Sequence, residues 1–209
     1  MALEEGRQYT FTLKEMRQFV NKKCGYDVYT RMLTKSRRYS DDVSSIIENL
    51  TTDIPHKTKI VSDYSINIYC AKEEFMNSYD NAKGNKKMYV PYTIKSNGII
   101  TILGRDMELA AFTENSFSAY ENFDPNYIGH TLHALSFDVD DAFIYLPTVK
   151  LVKSDSKNKL YYKENTESPV HVKKFMNELN ILFSRGRKSL NIYVGDIKVY
   201  LFLKSRLPK

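Results

Sequence analysis

The chain has no tryptophan, and it has only two cysteines and four histidines among 209 residues. Two cysteines, Cys24 and Cys70, cannot build a disulfide framework and do not have metal-site spacing. A reducing compartment is therefore the expectation. No apolar run approaches the roughly 18–20 residues that a membrane-spanning helix requires, so no membrane partner is expected. Met1-Ala2-Leu3-Glu4-Glu5 has no basic region followed by an apolar core, so no secretory signal is expected either. With 8 glycines and 6 prolines, no fixed-period repeat or low-complexity linker divides the sequence. A Walker loop, GxGxxG, GxSxG, CxxC and HExxH are all missing, so no cofactor is expected.

Two partial motifs also fall short. His56-Lys57-Thr58 resembles one half of a two-histidine phosphoesterase, but the residues two places after the other histidines are Leu132, Leu135 and Lys173. Asp196-Ile197-Lys198 has the letters of a metal-dependent nuclease. It falls at an expected turn, where the acid and the lysine would not be neighbours on one strand face.

What is present is a core's worth of apolar residues, 42% of the chain, and an uneven charge. The formal net charge is +6. Residues 1–98 carry 16 basic and 12 acidic side chains, residues 99–149 carry 1 and 8, and residues 150–209 carry 14 and 5. An acidic middle and a basic end suggest complementary faces, within the molecule or between copies. The 16 tyrosines, with abundant Lys, Asn and Ile, suggest an AT-rich coding sequence of phage or low-GC bacterial type.

The periodicities point to an α+β fold. A helix is predicted over Leu13–Cys24, with Thr12 and Glu15 as a capping box and Gly25 as its stop. Others are predicted over Asp27–Arg38 and from Ser40, the last with Val43, Ile46, Ile47 and Leu50 on one face. Period two begins at Ile60, and a hairpin is expected over Met88–Leu103 around Ser96-Asn97-Gly98. Strands follow over Thr131–Val139, Ala142–Leu146, Val149–Val152 and Lys159–Lys163. Ser168, Pro169 and Gly186 bracket an amphipathic helix whose stripe includes Phe175, Leu179 and Phe183. Leu190–Leu203 then reads as a β-hairpin around Gly195-Asp196, with Val194 opposite Ile197. The expected whole is one domain over 1–209, with a helical subregion over 1–55 and a mostly antiparallel β-rich body over 56–209.

Three sets of residues could carry function. His130, Asp138 and Asp140 share strand parity and could hold a hard cation; the plainer reading is a solvated strand face. Lys22, Lys23, Arg31, Lys35 and Arg38, with Arg185, Arg187 and Lys188, form basic clusters that could hold phosphates; the plainer reading is solvated helix faces. Lys150, Lys153 and Lys157 lie in the basic segment and would meet an acidic face in an assembly.

The function expected is a non-enzymatic structural or assembly protein. More narrowly, it is a phage or viral virion component, such as a head–tail or tail subunit. Its partners would be other protein subunits, as a homo-oligomer or on a ring, in the host cytoplasm or the particle. A nucleic-acid-binding protein is the alternative, and a metal-dependent phosphodiesterase or nuclease the second alternative.

Overall fold

A computed structural model describes residues 13–25, 40–51, 63–91, 98–109, 127–131, 138–154, 157–162 and 169–208. The chain divides into two compact units, Met1–Lys35 and Ser36–Lys209. The first contains helix α1 (Leu13–Cys24), which ends with Lys22 and Lys23 in its last turn. Positive charge is favourable there, against the negative end of the helix dipole. Gly25 follows at φ +70° and donates its N–H to the Asn21 carbonyl, which is the expected stop. The predicted Asp27–Arg38 helix lies outside the described residues.

The second unit begins with α2 (Asp41–Thr51) and β1 (Ser65–Tyr69), and continues through α3 (Lys72–Asn81) and β2 (Lys86–Val90). Then come β3 (Ile99–Ile102), β4 (Arg105–Leu109), β5 (Tyr127–His130) and β6 (Val139–Leu146). The last elements are β7 (Val149–Ser154), β8 (Lys157–Tyr162), α4 (Pro169–Phe183), β9 (Gly186–Val194) and α5 (Ile197–Arg206).

Seven strands make one sheet in the order β1-β9-β6-β2-β5-β4-β3. All neighbours are parallel except β3 and β4, which are antiparallel. β7 and β8 form a separate antiparallel pair. The mixture of helices and strands is as expected, but the body of the sheet is parallel rather than antiparallel. The reason is visible in Ala142-Phe143-Ile144-Tyr145-Leu146, all buried. A strand covered on both faces reads as a continuous apolar run, the mark of a parallel sheet with helices on both sides.

Hairpins are present at β3–β4 and β7–β8, whereas Met88–Leu103 is not one. β2 pairs with β5 and β6, and β3 turns through Leu103 and Gly104 into β4. Leu190–Leu203 is not a hairpin either: β9 ends at Val194, and Asp196 caps a helix.

One sheet face is aromatic. Phe75 of α3 lies 5.7 Å from the Phe143 and Tyr193 rings, and Tyr79 lies 5.0 Å from Phe143. The other face, with Ile144, Leu146, Leu190, Ile192 and Val194, is fully buried. It is covered by α2, α4 and α5: α2 touches both other helices, α4 touches β6, and α5 touches β9 and β1. Thr51 Oγ1 donates to Asn180 Oδ1 and ties α2 to α4.

Strand β9 carries an extra residue. Between paired positions, β6 advances from Val139 to Asp141 while β9 advances from Gly186 to Ser189. A Cβ on Gly186 would sit 1.9 Å from the Ser189 carbonyl oxygen, so the bulge admits only glycine there.

Leu179 on α4 is fully buried. Leu179→Ala should therefore lower stability by about 2–5 kcal/mol through lost burial and a cavity. Urea melts would read this, and a loss below about 0.5 kcal/mol would contradict the packing of α4.

Candidate functional site

Parallel pairing puts the start of β6 beside the start of β9. The Lys188 ammonium lies 3.1 Å from one Asp140 carboxylate oxygen, and an Arg187 nitrogen lies 3.8 Å from the other. The hydrogen bond from Lys188 holds the Asp140 carboxyl below the usual carboxylate range. Arg185 is buried, lies 3.8 Å from Asp138, and donates to the Ile181 carbonyl. One residue along, Ser189 Oγ donates to Asp141 at 2.7 Å, Asn191 donates to Ser189 at 2.7 Å, and Asn67 donates to Asn191 at 3.0 Å. Asp138 and Asp140 are therefore ion-paired, not merely solvated.

The expected metal ligands do not come together. His130 pairs with Val90 and Asp141 with Lys86, both on β2. Those positions are about 13 Å apart along a strand, so His130 ends the sheet opposite the end where Asp140 starts. Among the described residues, no group of three or more His, Cys, Asp or Glu side chains is placed to hold a metal.

The nucleic-acid set is also scattered. Arg185 is interior, Arg187 and Lys188 face Asp140, and Lys22 and Lys23 are exposed on α1 in the other compact unit. Arg31, Lys35 and Arg38 lie outside the described residues. Of the expected assembly lysines, Lys150 is engaged within the chain. It bonds the Asp196 carboxylate, which also accepts from the backbone N–H groups of Lys198 and Val199. The bond from Lys150 holds the Asp196 carboxyl low. Lys153 and Lys157 are placed by backbone register alone, on the facing ends of β7 and β8.

Open parallel sheets commonly bind ligands beyond the carboxyl ends of their strands. Here the β1–β9–β6 part of that edge is filled by the protein's own rings. Tyr69, Tyr193 and Tyr145 form a row across β1, β9 and β6. Tyr145 and Tyr193 are buried and stacked at 5.0 Å, and burial pushes the Tyr145 hydroxyl up to about 12. Tyr69 donates to Ser78 at 2.9 Å. Glu73 and Glu74 occupy the first turn of α3, where their charge opposes an anionic ligand.

Among the described residues of the Ser36–Lys209 unit, two places remain open, and sequence reasoning found neither. At the far side of the sheet, Ile99, Glu108 and Tyr127 form one row across β3, β4 and β5, and Thr101 and Asp106 form the next. All five are exposed. Thr101 donates to Asp106 at 2.6 Å. Their strand neighbours Ile102, Met107 and Ile128 point inward and are buried. The nearby cation Arg105 has the parity of Met107 and binds Asp80 at 2.8 Å, so the described residues of this open face carry acids and no cation.

The second place is α5. Val199 and Leu203 are buried, while Ile197 and Leu201 are 56% and 59% exposed. At 100° per residue, Lys204, Ile197, Leu201, Ser205 and Lys198 share one continuous side. All five are exposed. The outer side of α5 is thus apolar with a lysine on each border. The signal in the sequence was Ile197/Leu201 and Val199/Leu203 as two four-residue pairs, hidden under an alternation that also fits a strand.

No family model, curated protein or solved structure matches the chain.

Two measurements test this geometry. Asp196→Ala should cost about 0.5–2 kcal/mol of stability, since it removes the cap of α5; an unchanged urea midpoint would contradict the cap. Burial also holds the His130 imidazole below its ordinary pKa. The unfolded chain then takes up a proton before the folded one, so stability falls as pH drops through about 6.5. The melting temperature should fall between pH 7 and pH 5, and His130→Gln should flatten that slope. Asp140 and Asp196, held low, lose their contribution only below the ordinary carboxylate range. Equal slopes in wild type and variant would contradict the assignment to His130.

Proposed function

We propose that the protein is a non-enzymatic assembly subunit that works through protein–protein contacts with copies of itself. The observation that carries this reading is the open β3–β4–β5 face, where Ile99 and Tyr127 stand in solvent. On the same side of the sheet, α4 lies over β6 and α5 over β9 and β1. An apolar patch rimmed by polar groups is a feature of interaction sites, and a sheet face is a rigid platform for one.

The filled β1–β9–β6 part of the carboxyl edge supports the same reading. Where many α/β proteins place a substrate, this chain places stacked tyrosines of its own. The narrower form of the reading, a subunit of a phage or viral particle, calls for contacts that repeat in one direction around a ring or along a tube.

Sedimentation velocity over a wide concentration range tests the reading. It predicts reversible self-association at low salt that weakens as ionic strength passes roughly 0.15 M, where charges are screened over about 8 Å. A monomer at every concentration and salt would overturn it.

A further inference from the structure

We infer that the assembly contact is head to tail, with the outer side of α5 of one copy seated on the β3–β4–β5 face of the next. This deepens the assembly reading and rests on it.

Among the described residues of the Ser36–Lys209 unit, the large apolar side chains left exposed are Ile99, Leu103, Tyr127, Ile197 and Leu201. They fall into two patches and nowhere else. Ile99, Tyr127 and the turn residue Leu103 lie at the acidic end of the sheet, with Asp106 and Glu108 beside them. Ile197 and Leu201 lie on α5 between Lys198 and Lys204. α5 contains no acid, and Asp196 just before it is engaged by the cap and by Lys150.

Charge chooses the partner. α5 against a second α5 would set lysines against lysines. The sheet face against a second face would set Asp106 and Glu108 against their equivalents. Only the crossed pairing brings opposite signs together, and like-charge contacts work against the two symmetric ones.

Shape agrees. The same side of the sheet is covered by helices over β1, β9 and β6, so a helix from another copy would continue a layer the fold already uses. The apolar side chains would supply the affinity, and the lysines and acids the orientation. Because the two surfaces differ, the contact leaves one of each kind free after every addition, and the product is a ring or an open filament.

Two variants test the pairing, each chosen to keep the local backbone preference. One blocks the helix, Ile197→Gln with Leu201→Gln. The other blocks the face, Ile99→Thr with Tyr127→Thr. All four side chains are exposed, and thermal melts would confirm that both variants fold. Each variant alone should associate at least tenfold more weakly than wild type in sedimentation. Mixed in equal amounts, they should form pairs and nothing larger, because the intact helix of one meets the intact face of the other.

If wild type assembles but either variant assembles equally well, the head-to-tail contact is wrong and the assembly reading stands on another surface. If both variants are weakened and the mixture stays monomeric, the two patches do not meet each other. A monomeric wild type overturns the assembly reading itself.

Discussion

The parallel pairing of β6 with β9 is the constraint on which the rest of the second unit depends. It joins residues 139–146 to residues 186–194 in the sheet. It also sets the acids at the start of β6 against the cations at the start of β9. The register is held by more than apolar packing. Asp141, Ser189, Asn191 and Asn67 form a hydrogen-bonded chain over three strands, and Asn191 is buried. A slip of one residue would turn every side chain to the wrong face and leave those amides without partners, each at a cost of about 1–3 kcal/mol.

This pairing explains where the charge goes. The acidic 99–149 segment and the basic 150–209 segment neutralise each other first inside the molecule, through Asp140 with Lys188 and Arg187 and Asp138 with Arg185, while Lys150 and Asp196 pair within the basic segment. The unspent charge lies elsewhere. β3 and β4 lie at one edge of the sheet and retain Asp106 and Glu108. α5 follows the carboxyl end of β9 and retains Lys198 and Lys204. Among the described residues, a seven-stranded sheet with helices over only part of one side keeps a bare acidic face, and α5 keeps a bare basic one. The proposed assembly follows from that asymmetry.

The sequence revealed some of this directly. The stripe Val43, Ile46, Ile47 and Leu50 is buried as its spacing requires, and α4 spans nearly the predicted interval. β6 and the β7–β8 hairpin also lie where the apolar runs and the turn residues put them. The direction of the strands was harder. Parallel partners are distant in sequence, as in Tyr69 beside Tyr193, and no local turn announces them. Gly195-Asp196 has the letters of a tight hairpin turn, yet Asp196 is a stronger helix cap because two N–H groups and Lys150 converge on it. Helix α3 escaped notice because its buried residues, Phe75, Met76 and Tyr79, are few among polar neighbours. The candidate surfaces were legible only in outline. Segment charges suggested complementary faces, but which lysines were already taken depended on contacts between residues such as Lys150 and Asp196, 46 positions apart.

The central claim is that α5 of one copy meets the acidic sheet face of another. Carbodiimide coupling joins a carboxylate directly to an amine in contact with it. Applied to an equal mixture of heavy-isotope-labelled and unlabelled copies, it reports whether a link runs within or between molecules. The account predicts links from Asp106 or Glu108 to Lys198 or Lys204 in peptide pairs that carry one label of each kind. Links from those acids to other lysines, with none reaching α5, would contradict it.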